Sequence, residues 1–158
     1  MRDTEIFPLR GEAHHPWHLH AGVVLVGENG RIPLVRDSEG SYQLPRATLA
    51  TDENFISCIH RLVLDTVRVV PTLSGYLGSV TTLYRRYDGS TIEKTALYFE
   101  ASFRSPYHGR FSAPGLYDDG LTWVTLGEAY DLLSLEPHGE ETIIERVGAE
   151  VAHALFAA

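Results

Sequence analysis

The strongest pattern in the chain is a run of apolar residues at helical spacing after residue 52. These residues fall on one face of a helix and are Phe55, Ile56, Ile59, Leu62 and Val63. Thr51 or Asp52 suits the N-cap position, and Asp52 and Glu53 suit the positive end of the helix dipole. The pattern therefore predicts a helix over residues 52–67 with acidic residues in its first turn.

The segment before this helix is rich in β-branched residues and predicts strands. Residues 19–26 and 31–36 lie on either side of Asn29-Gly30, the dipeptide typical of a tight hairpin turn. We therefore expect the two segments to pair as a β-hairpin. Pro33 removes a backbone donor from the second strand, which predicts an edge or a bulge at that position.

The segment after the helix predicts a second hairpin. Residues 75–87 and 91–103 are strand-like and are separated by the turn signal Asp88-Gly89. Alternation in the second of these strands indicates a sheet with one face against the core. The two strands are expected to pair antiparallel.

The C-terminal third predicts a long loop, a short strand and two helices. Residues 105–120 contain Pro, Gly and acidic residues and read as the loop, and residues 121–124 as the strand. Thr125 and Glu128 form the sequence signature of a capping box, which opens a helix through Leu133. Residues 140–156 carry an apolar stripe typical of an amphipathic helix.

Composition describes an ordinary globular protein and excludes two classes of partner. The chain has 158 residues, of which 44% are hydrophobic, and a net charge of -8. This length predicts one domain, over residues 14–158, and the absence of periodicity in residues 1–13 predicts a loose arm there. The negative charge argues against nucleic acid backbone as a partner. No segment resembles a membrane span or a signal peptide, so we expect a cytoplasmic protein, with Cys58 as a core residue.

Four histidines fall between residues 14 and 20. His18 and His20 are two residues apart in a β-rich segment, so their imidazoles are expected on the same side of one strand. Imidazoles in that arrangement can share a transition metal ion. The alternative is a partly exposed start of a strand, and the residues leave both interpretations open.

The segment from residue 42 to residue 69 resembles the Nudix box. The pattern of that box is Gly, five residues, Glu, seven residues, Arg-Glu, apolar, any, Glu-Glu, any, Gly, apolar. Laid on this chain without gaps, it aligns Ala47 with the first Gly, Glu53 with the Glu and Arg61 with the Arg. The order of the predicted elements around the box is also similar to that of the family. The resemblance covers about residues 18–156 and implies an α+β fold, an α/β/α sandwich whose mixed central sheet is flanked by helices.

Most metal-binding positions of the box are replaced in this chain. Leu62 stands at the first catalytic Glu, Asp65 and Thr66 stand at the Glu pair, and Arg68 stands at the last Gly. In the family these carboxylates hold Mg2+ or Mn2+ ions that bridge diphosphate oxygens and activate water. Because Asp65 is the one acidic residue left at the three positions, the resemblance implies a weak metal site.

The resemblance implies a metal-dependent hydrolase of nucleoside diphosphate derivatives or other organic diphosphates, with classical catalysis weakened or lost. The surviving catalytic residues would be Glu53, Arg61 and Asp65, with Asp65 and Glu53 as candidate metal ligands. Arg46 and Lys94 are candidates for binding the phosphorylated ligand. The acidic residues that would have to replace the missing ligands are Glu93, Glu100, Asp118 and Asp119. Asp118 and Asp119 are also candidate ligand-binding residues.

Two other functions remain open. The domain could have lost hydrolysis and bind a ligand or a partner protein, because Leu62 and Thr66 both replace acidic residues. Alternatively, His18 and His20, with His60, could hold a transition metal for a different reaction. The predicted edge strands leave a homodimer open and identify no interface.

Overall fold

The computed structural model describes residues 17–37, 39–85, 87–103 and 120–147. Its strands are β1 (Trp17–Val26), β2 (Ile32–Arg36), β3 (Tyr42–Gln43), β4 (Arg46–Thr48), β5 (Thr72–Arg85), β6 (Thr91–Ser102) and β7 (Leu121–Val124). Its helices are α1 (Phe55–Val67) and α2 (Leu126–Ser134), and residues 141–147 are also helical. The predicted arm at residues 1–13 and nearly all of the predicted loop at residues 105–120 lie outside the described residues.

A mixed four-stranded sheet forms the centre of the fold, with the order β4-β1-β6-β5. β1 runs parallel to β6 along its whole length, from Trp17 opposite Glu93 to Val26 opposite Ser102. β4 and β5 pair antiparallel on the outer sides. The predicted hairpin of β5 and β6 is confirmed, and the parallel pair places β1 beside a strand from much later in the chain.

The predicted hairpin between the first two strands is wrong. Gly27 N donates a 2.9 Å hydrogen bond to Arg31 O and closes a tight turn. β2 then leaves β1 and joins a separate three-stranded sheet with the order β3-β2-β7. The turn signal is local, whereas the choice of sheet is made by the long parallel pairing of β1 with β6. β2 is the middle strand of this sheet, but β3 pairs only with its last two residues, Val35 and Arg36. Among the described residues, Pro33 therefore pairs on one side only, with β7. The prediction of an edge is confirmed at that position.

α1 begins later than its sequence pattern predicts. The N-cap is Asn54, whose Oδ1 accepts a 2.8 Å hydrogen bond from Ser57 N. Asp52 has a φ of 65°, in the left-handed region, and lies outside the helix. The first turn of Phe55–Val67 therefore contains no acidic residue, and Thr51 and Asp52 do not cap it. Asn54 satisfies the same free backbone donors two residues further along.

The central sheet is packed on both faces. One face lies against α1, and the buried residues of this cluster are Ala21, Val23, Leu25, Leu49, Cys58, Ile59, Leu62, Val63, Val67, Val69, Ala101 and Leu121. The other face lies against the three-stranded sheet, α2 and the segment 141–147, and its core includes Val24, Leu34, Leu77, Tyr98, Leu133 and Ile143. Alternate residues of β1 thus serve opposite clusters, as the period of a strand requires. Cys58 is fully buried, as predicted.

The C-terminal elements follow their sequence pattern where they are described. Glu128 N donates to Thr125 Oγ1 and Thr125 N donates to Glu128 Oε1, both at 3.1 Å, so the predicted capping box is confirmed. The helical segment 141–147 buries Ile143, Ile144 and Val147. Within the described residues, no helix has both the length and the apolar character that crossing a membrane requires.

Candidate functional site

Arg61 of α1 is tied to Glu53, which lies just before the helix. Arg61 Nε donates to Glu53 Oε2 and Arg61 Nη2 donates to Glu53 Oε1, each at 2.9 Å. Arg61 Nη2 also donates to Thr48 O at 3.0 Å, and Glu53 Oε1 accepts from Ala50 N at 3.0 Å. The hydrogen bonds from Arg61 lower the pKa of Glu53 to about 2, so this carboxylate is ionised at neutral pH. The pair fastens the loop between β4 and α1 to the helix.

The end of α1 turns at Arg68. Its φ of 66° is in the left-handed region, and its backbone N–H reaches Leu64 O at 3.1 Å and Val63 O at 3.2 Å. This is the conformation that usually selects glycine at the end of a helix. Arg68 stands where the box pattern has its last Gly, so the chain keeps the turn at that position without the residue that favours it.

A cleft of about 310 Å³ lies beside α1. Its lining residues come from β2, the segment before α1, α1 itself and β7, and are Val35, Gln43, Pro45, Arg46, Leu62, Asp65, Thr66 and Leu121. Three of the predicted positions, Arg46, Asp65 and Thr66, are therefore brought to one cleft. Asp65 is the one carboxylate and Arg46 the one cation among these lining residues.

Leu62 belongs to the apolar core under α1. It is 7% exposed and packs with Ile59 and Val63 in the cluster between α1 and the sheet. It therefore closes the inner wall of the cleft with a hydrocarbon surface. Next to it, Thr66 offers a neutral hydroxyl, so Asp65 is the single charged oxygen ligand that α1 supplies to the cleft.

The residues of this cleft do not fit a divalent metal site of the Nudix type. Mg2+ requires hard oxygen ligands in octahedral geometry and is usually held by more than one carboxylate or by a carboxylate and phosphates. Glu53 does not add a ligand, because it is not among the residues that line the cleft, and its carboxylate is paired with Arg61. Across residues 17–147, excluding the gaps in the description, no group of three His, Cys, Asp or Glu side chains is placed to hold a metal ion.

The other acidic and basic candidates are not brought to this cleft. Lys94, Glu93 and Glu100 lie on β6 in the middle of the sheet and are not among the residues that line it. Asp118 and Asp119 lie outside the described residues. The predicted ligand set of Arg46, Lys94 and the late acidic pair is thus reduced to Arg46 in the part of the chain that the structure describes.

His18 and His20 do lie side by side on β1, as predicted. Their ring centroids are 6.3 Å apart and the rings are tilted by 13°. Both are buried, so the alternative of an exposed strand start is wrong. The pKa of His20 is lowered to about 3, mainly by burial and further by the charges of Arg46, Lys94 and His18. Its imidazole is therefore neutral at physiological pH. His60 is on α1, which packs on the other face of the sheet, and does not join them.

Sequence reasoning missed a buried polar pair, Glu140 and Tyr98. Glu140 is 1% exposed, and its Oε1 accepts a 3.1 Å hydrogen bond from Leu44 N while its Oε2 accepts one from the Tyr98 hydroxyl. Burial raises the pKa of Glu140, and the hydrogen bond from Tyr98 and the charge of Arg46 oppose that rise. A Glu just before a helix is ordinarily solvated, so the sequence carries no signal that this carboxylate is buried.

Comparisons with known proteins identify the fold. No family model matches the chain, and no curated protein matches it. Among solved structures, a MutT protein from Methanosarcina mazei Go1 is 18% identical, covers 88% of this chain and 98% of its own, and has a TM-score of 0.58. An Ap4A hydrolase from C. elegans is 13% identical, with coverage of 85% and 98% and a TM-score of 0.62. A mutT/nudix family protein from Listeria innocua is 13% identical, with coverage of 89% and 98% and a TM-score of 0.62.

These similarities extend over most of the chain and nearly all of each solved structure. They show that the chain has the Nudix fold, with a mixed sheet and helices on both faces, and the predicted α+β class is confirmed. At such low identity the similarity is one of fold, so the chemistry has to be argued from the residues of the cleft.

Proposed function

We propose that this protein binds a phosphorylated small molecule in the cleft beside α1 and does not hydrolyse it by the classical metal-dependent route. The observation that carries the proposal is the burial of Leu62, at 7% exposure, in the position where the box has its first catalytic Glu. The leucine side chain has no atom that can coordinate a metal ion, and no change of its rotamer can supply one. Hydrolysis through this helix would depend on Asp65.

The lining of the cleft supports binding in a second way. It combines one cation, Arg46, and one carboxylate, Asp65, with the neutral donors and acceptors of Gln43 and Thr66 and with apolar walls. Small-molecule sites commonly have this composition, in which apolar surface supplies affinity and a few polar groups fix orientation. An Arg guanidinium suits phosphate oxygens in particular. The ligand class we propose is therefore an organic diphosphate or a nucleoside diphosphate derivative.

The proposal is tested by calorimetric titration of a diphosphate panel with and without metal. The panel should include nucleoside diphosphates, nucleoside diphosphate sugars and Ap4A, since one structural neighbour is described as an Ap4A hydrolase. We expect saturable binding whose affinity changes less than about three-fold between excess EDTA and excess Mg2+, because one carboxylate gives the metal little hold. Binding that disappears in EDTA would contradict the proposal.

A second candidate function is hydrolysis with a reduced metal site. Two features favour it. The Arg61–Glu53 pair fixes the loop before α1, and the left-handed turn at Arg68 ends the helix, so the position of α1 is defined as an active enzyme would require. Such an enzyme would require a carboxylate from outside α1, and Asp118 and Asp119 are the sequence candidates. Its test is a steady-state assay with Mg2+ and Mn2+, in which turnover by the wild type should disappear in Asp65→Asn. Turnover unaffected by that substitution would remove Asp65 from the mechanism.

A further inference from the structure

The backbone segment that carries Gln43 and Arg46 forms one wall of the cleft. It joins β3 to β4, and Gln43, Pro45 and Arg46 all line the cleft. Leu44, between them, is fully buried in the core on the other face of the central sheet. The amide and the cation of the cleft therefore stand on a short stretch of backbone whose position decides where their side chains lie.

Two hydrogen bonds from other parts of the chain hold this stretch of backbone. Val23 N of β1 donates to Pro45 O at 3.0 Å, and Leu44 N donates to Glu140 Oε1 at 3.1 Å. The second bond comes from a side chain 96 positions further along, just before the helical segment 141–147. Because Glu140 is only 1% exposed, removing its carboxylate would leave the Leu44 N–H without this acceptor in a buried place.

Tyr98 of β6 fixes the side chain of Glu140. The Tyr98 hydroxyl donates to Glu140 Oε2, and both residues are buried. The ring of Tyr98 lies over β1 at Gly22, where a Cβ atom would overlap it. Glycine at this position therefore permits the close approach that brings the hydroxyl to Glu140.

Arg46 connects this buried pair with the cleft. Gly22 lies opposite Arg46 on one side of β1 and opposite Tyr98 on the other, so the three residues form one row across the sheet. Burial raises the pKa of Tyr98 and that of Glu140, and the positive charge of Arg46 opposes both rises. The guanidinium is thus within electrostatic reach of the pair. Since β4 is the outer strand of the sheet, the same side chain also lines the cleft.

We propose that Glu140 is a positioning residue for the ligand site: held by Tyr98 and bonded to Leu44 N, it fixes the backbone that presents Arg46 to a phosphate of the ligand. Glu140 is not among the residues that line the cleft, so it acts through this segment and not by contact with the ligand. The inference rests on the proposed function, in which Arg46 binds a phosphate group. It goes further by assigning a role at the site to a buried carboxylate from the C-terminal part of the chain.

The test is calorimetric titration of the full chain with inorganic pyrophosphate and separately with ADP, in excess EDTA. Glu140→Leu keeps a side chain of similar size but offers no acceptor to Leu44 N, whereas Glu140→Gln keeps an amide oxygen for it. We expect the affinity for both probes to fall about ten-fold or more in Glu140→Leu and to stay within about three-fold of the wild type in Glu140→Gln. In ¹⁵N spectra, ADP should shift the Arg46 Nε resonance in the wild type and in Glu140→Gln but not in Glu140→Leu.

Arg146→Ala is the matched control. Arg146 belongs to the helical segment that follows Glu140, and its Nη1 donates a 2.9 Å hydrogen bond to Leu77 O, which is not part of the cleft. The substitution removes a hydrogen bond of the same segment without altering the contact to Leu44, so both probes should bind as they bind the wild type. An equal loss of affinity in Arg146→Ala and Glu140→Leu would overturn the inference, because the effect would then be one of general destabilisation.

The remaining outcomes separate this inference from the proposed function. Wild-type affinity in Glu140→Leu, or a loss in Glu140→Gln as large as that in Glu140→Leu, would overturn the inference and leave the proposed function standing. No saturable binding of either probe to the wild type would overturn the proposed ligand class and this inference with it. Should Glu140→Leu fail to fold, Tyr98→Phe decides, because it removes only the hydroxyl that holds Glu140 Oε2. Its affinity should fall about three-fold or more, and an unchanged affinity would overturn the inference.

Discussion

At the scale of single residues, the Arg61–Glu53 pair has a structural role in the box that does not depend on catalysis. Two nitrogens of Arg61 engage both oxygens of Glu53, and one also holds Thr48 O. A bidentate pair of this kind is stronger than an ordinary surface ion pair and fixes the geometry of both partners. We infer that Glu53 and Arg61 hold the loop before α1 in place whether or not the protein is an enzyme.

The pair predicts how stability depends on pH. The pKa of Glu53 falls from 4.5 to about 2 in the folded protein. A depressed pKa contributes stability that is fully present above about pH 4.5 and is lost as the pH falls toward 2. Because the pair is partly exposed, we expect a contribution of about 1 kcal/mol. The free energy of unfolding is measured in urea at pH 7 and at pH 3. The wild type should lose more of it between these two pH values than Glu53→Gln does. Equal losses in the two proteins would contradict the stabilising role of the ionised Glu53.

Two leucines of the same helix show that exposure decides the role of a residue in α1. Leu62 is 7% exposed and belongs to the core, whereas Leu64 is 53% exposed. Truncation to alanine at Leu62 should cost about 2–5 kcal/mol, because it removes buried methyl groups and leaves a cavity. Leu64→Ala is the matched control and should cost less than about 1 kcal/mol. Chemical denaturation measures both, and similar small losses would show that Leu62 is not part of the core.

At the scale of elements, the C-terminal end of α1 predicts a stabilising substitution. A residue other than glycine in the left-handed region costs about 1–2 kcal/mol, and Arg68 occupies that region at φ 66°. Arg68→Gly removes this strain but adds freedom to the unfolded chain, so we expect a net gain of about 0.5–1 kcal/mol. Arg68→Ala keeps the strain and should give no gain. Thermal unfolding compares the three proteins, and equal stability of Arg68→Gly and Arg68→Ala would contradict the account.

Elements that depend on local pattern were predictable, and those that depend on distant partners were not. The body of α1 follows from helical spacing, and the β5–β6 hairpin from two strand patterns and a Gly turn. The pairing of β1 with β6, which separates β1 from β2, depends on a strand from much later in the chain. The start of α1 at Asn54 follows a left-handed turn at Asp52. Asp tolerates that conformation better than most residues, but it suits a helix N-cap equally well, so its identity does not choose between the two.

At the scale of the whole molecule, some features of the candidate site follow from local sequence pattern, and others depend on residues that are distant in the chain. The position of Asp65 and Thr66 at one cleft with Arg46 follows from the box pattern and the strand before it. The burial of Glu140 does not, because its hydrogen bond to Leu44 joins residues 96 positions apart. The close approach of the Tyr98 ring to Gly22 is equally invisible in sequence, since it depends on which strands surround β1.

The central claim concerns the molecule as a whole: a Nudix fold that binds a phosphorylated ligand and leaves it intact. Phosphorus nuclear magnetic resonance tests binding and hydrolysis in one sample, with protein, Mg2+ and a member of the diphosphate panel that binds in the calorimeter. We predict that the ligand resonances shift or broaden with added protein and that no new phosphorus signal grows over several hours. New product signals in the wild type, absent with Asp65→Asn, would contradict the claim and identify a hydrolase with a reduced metal site.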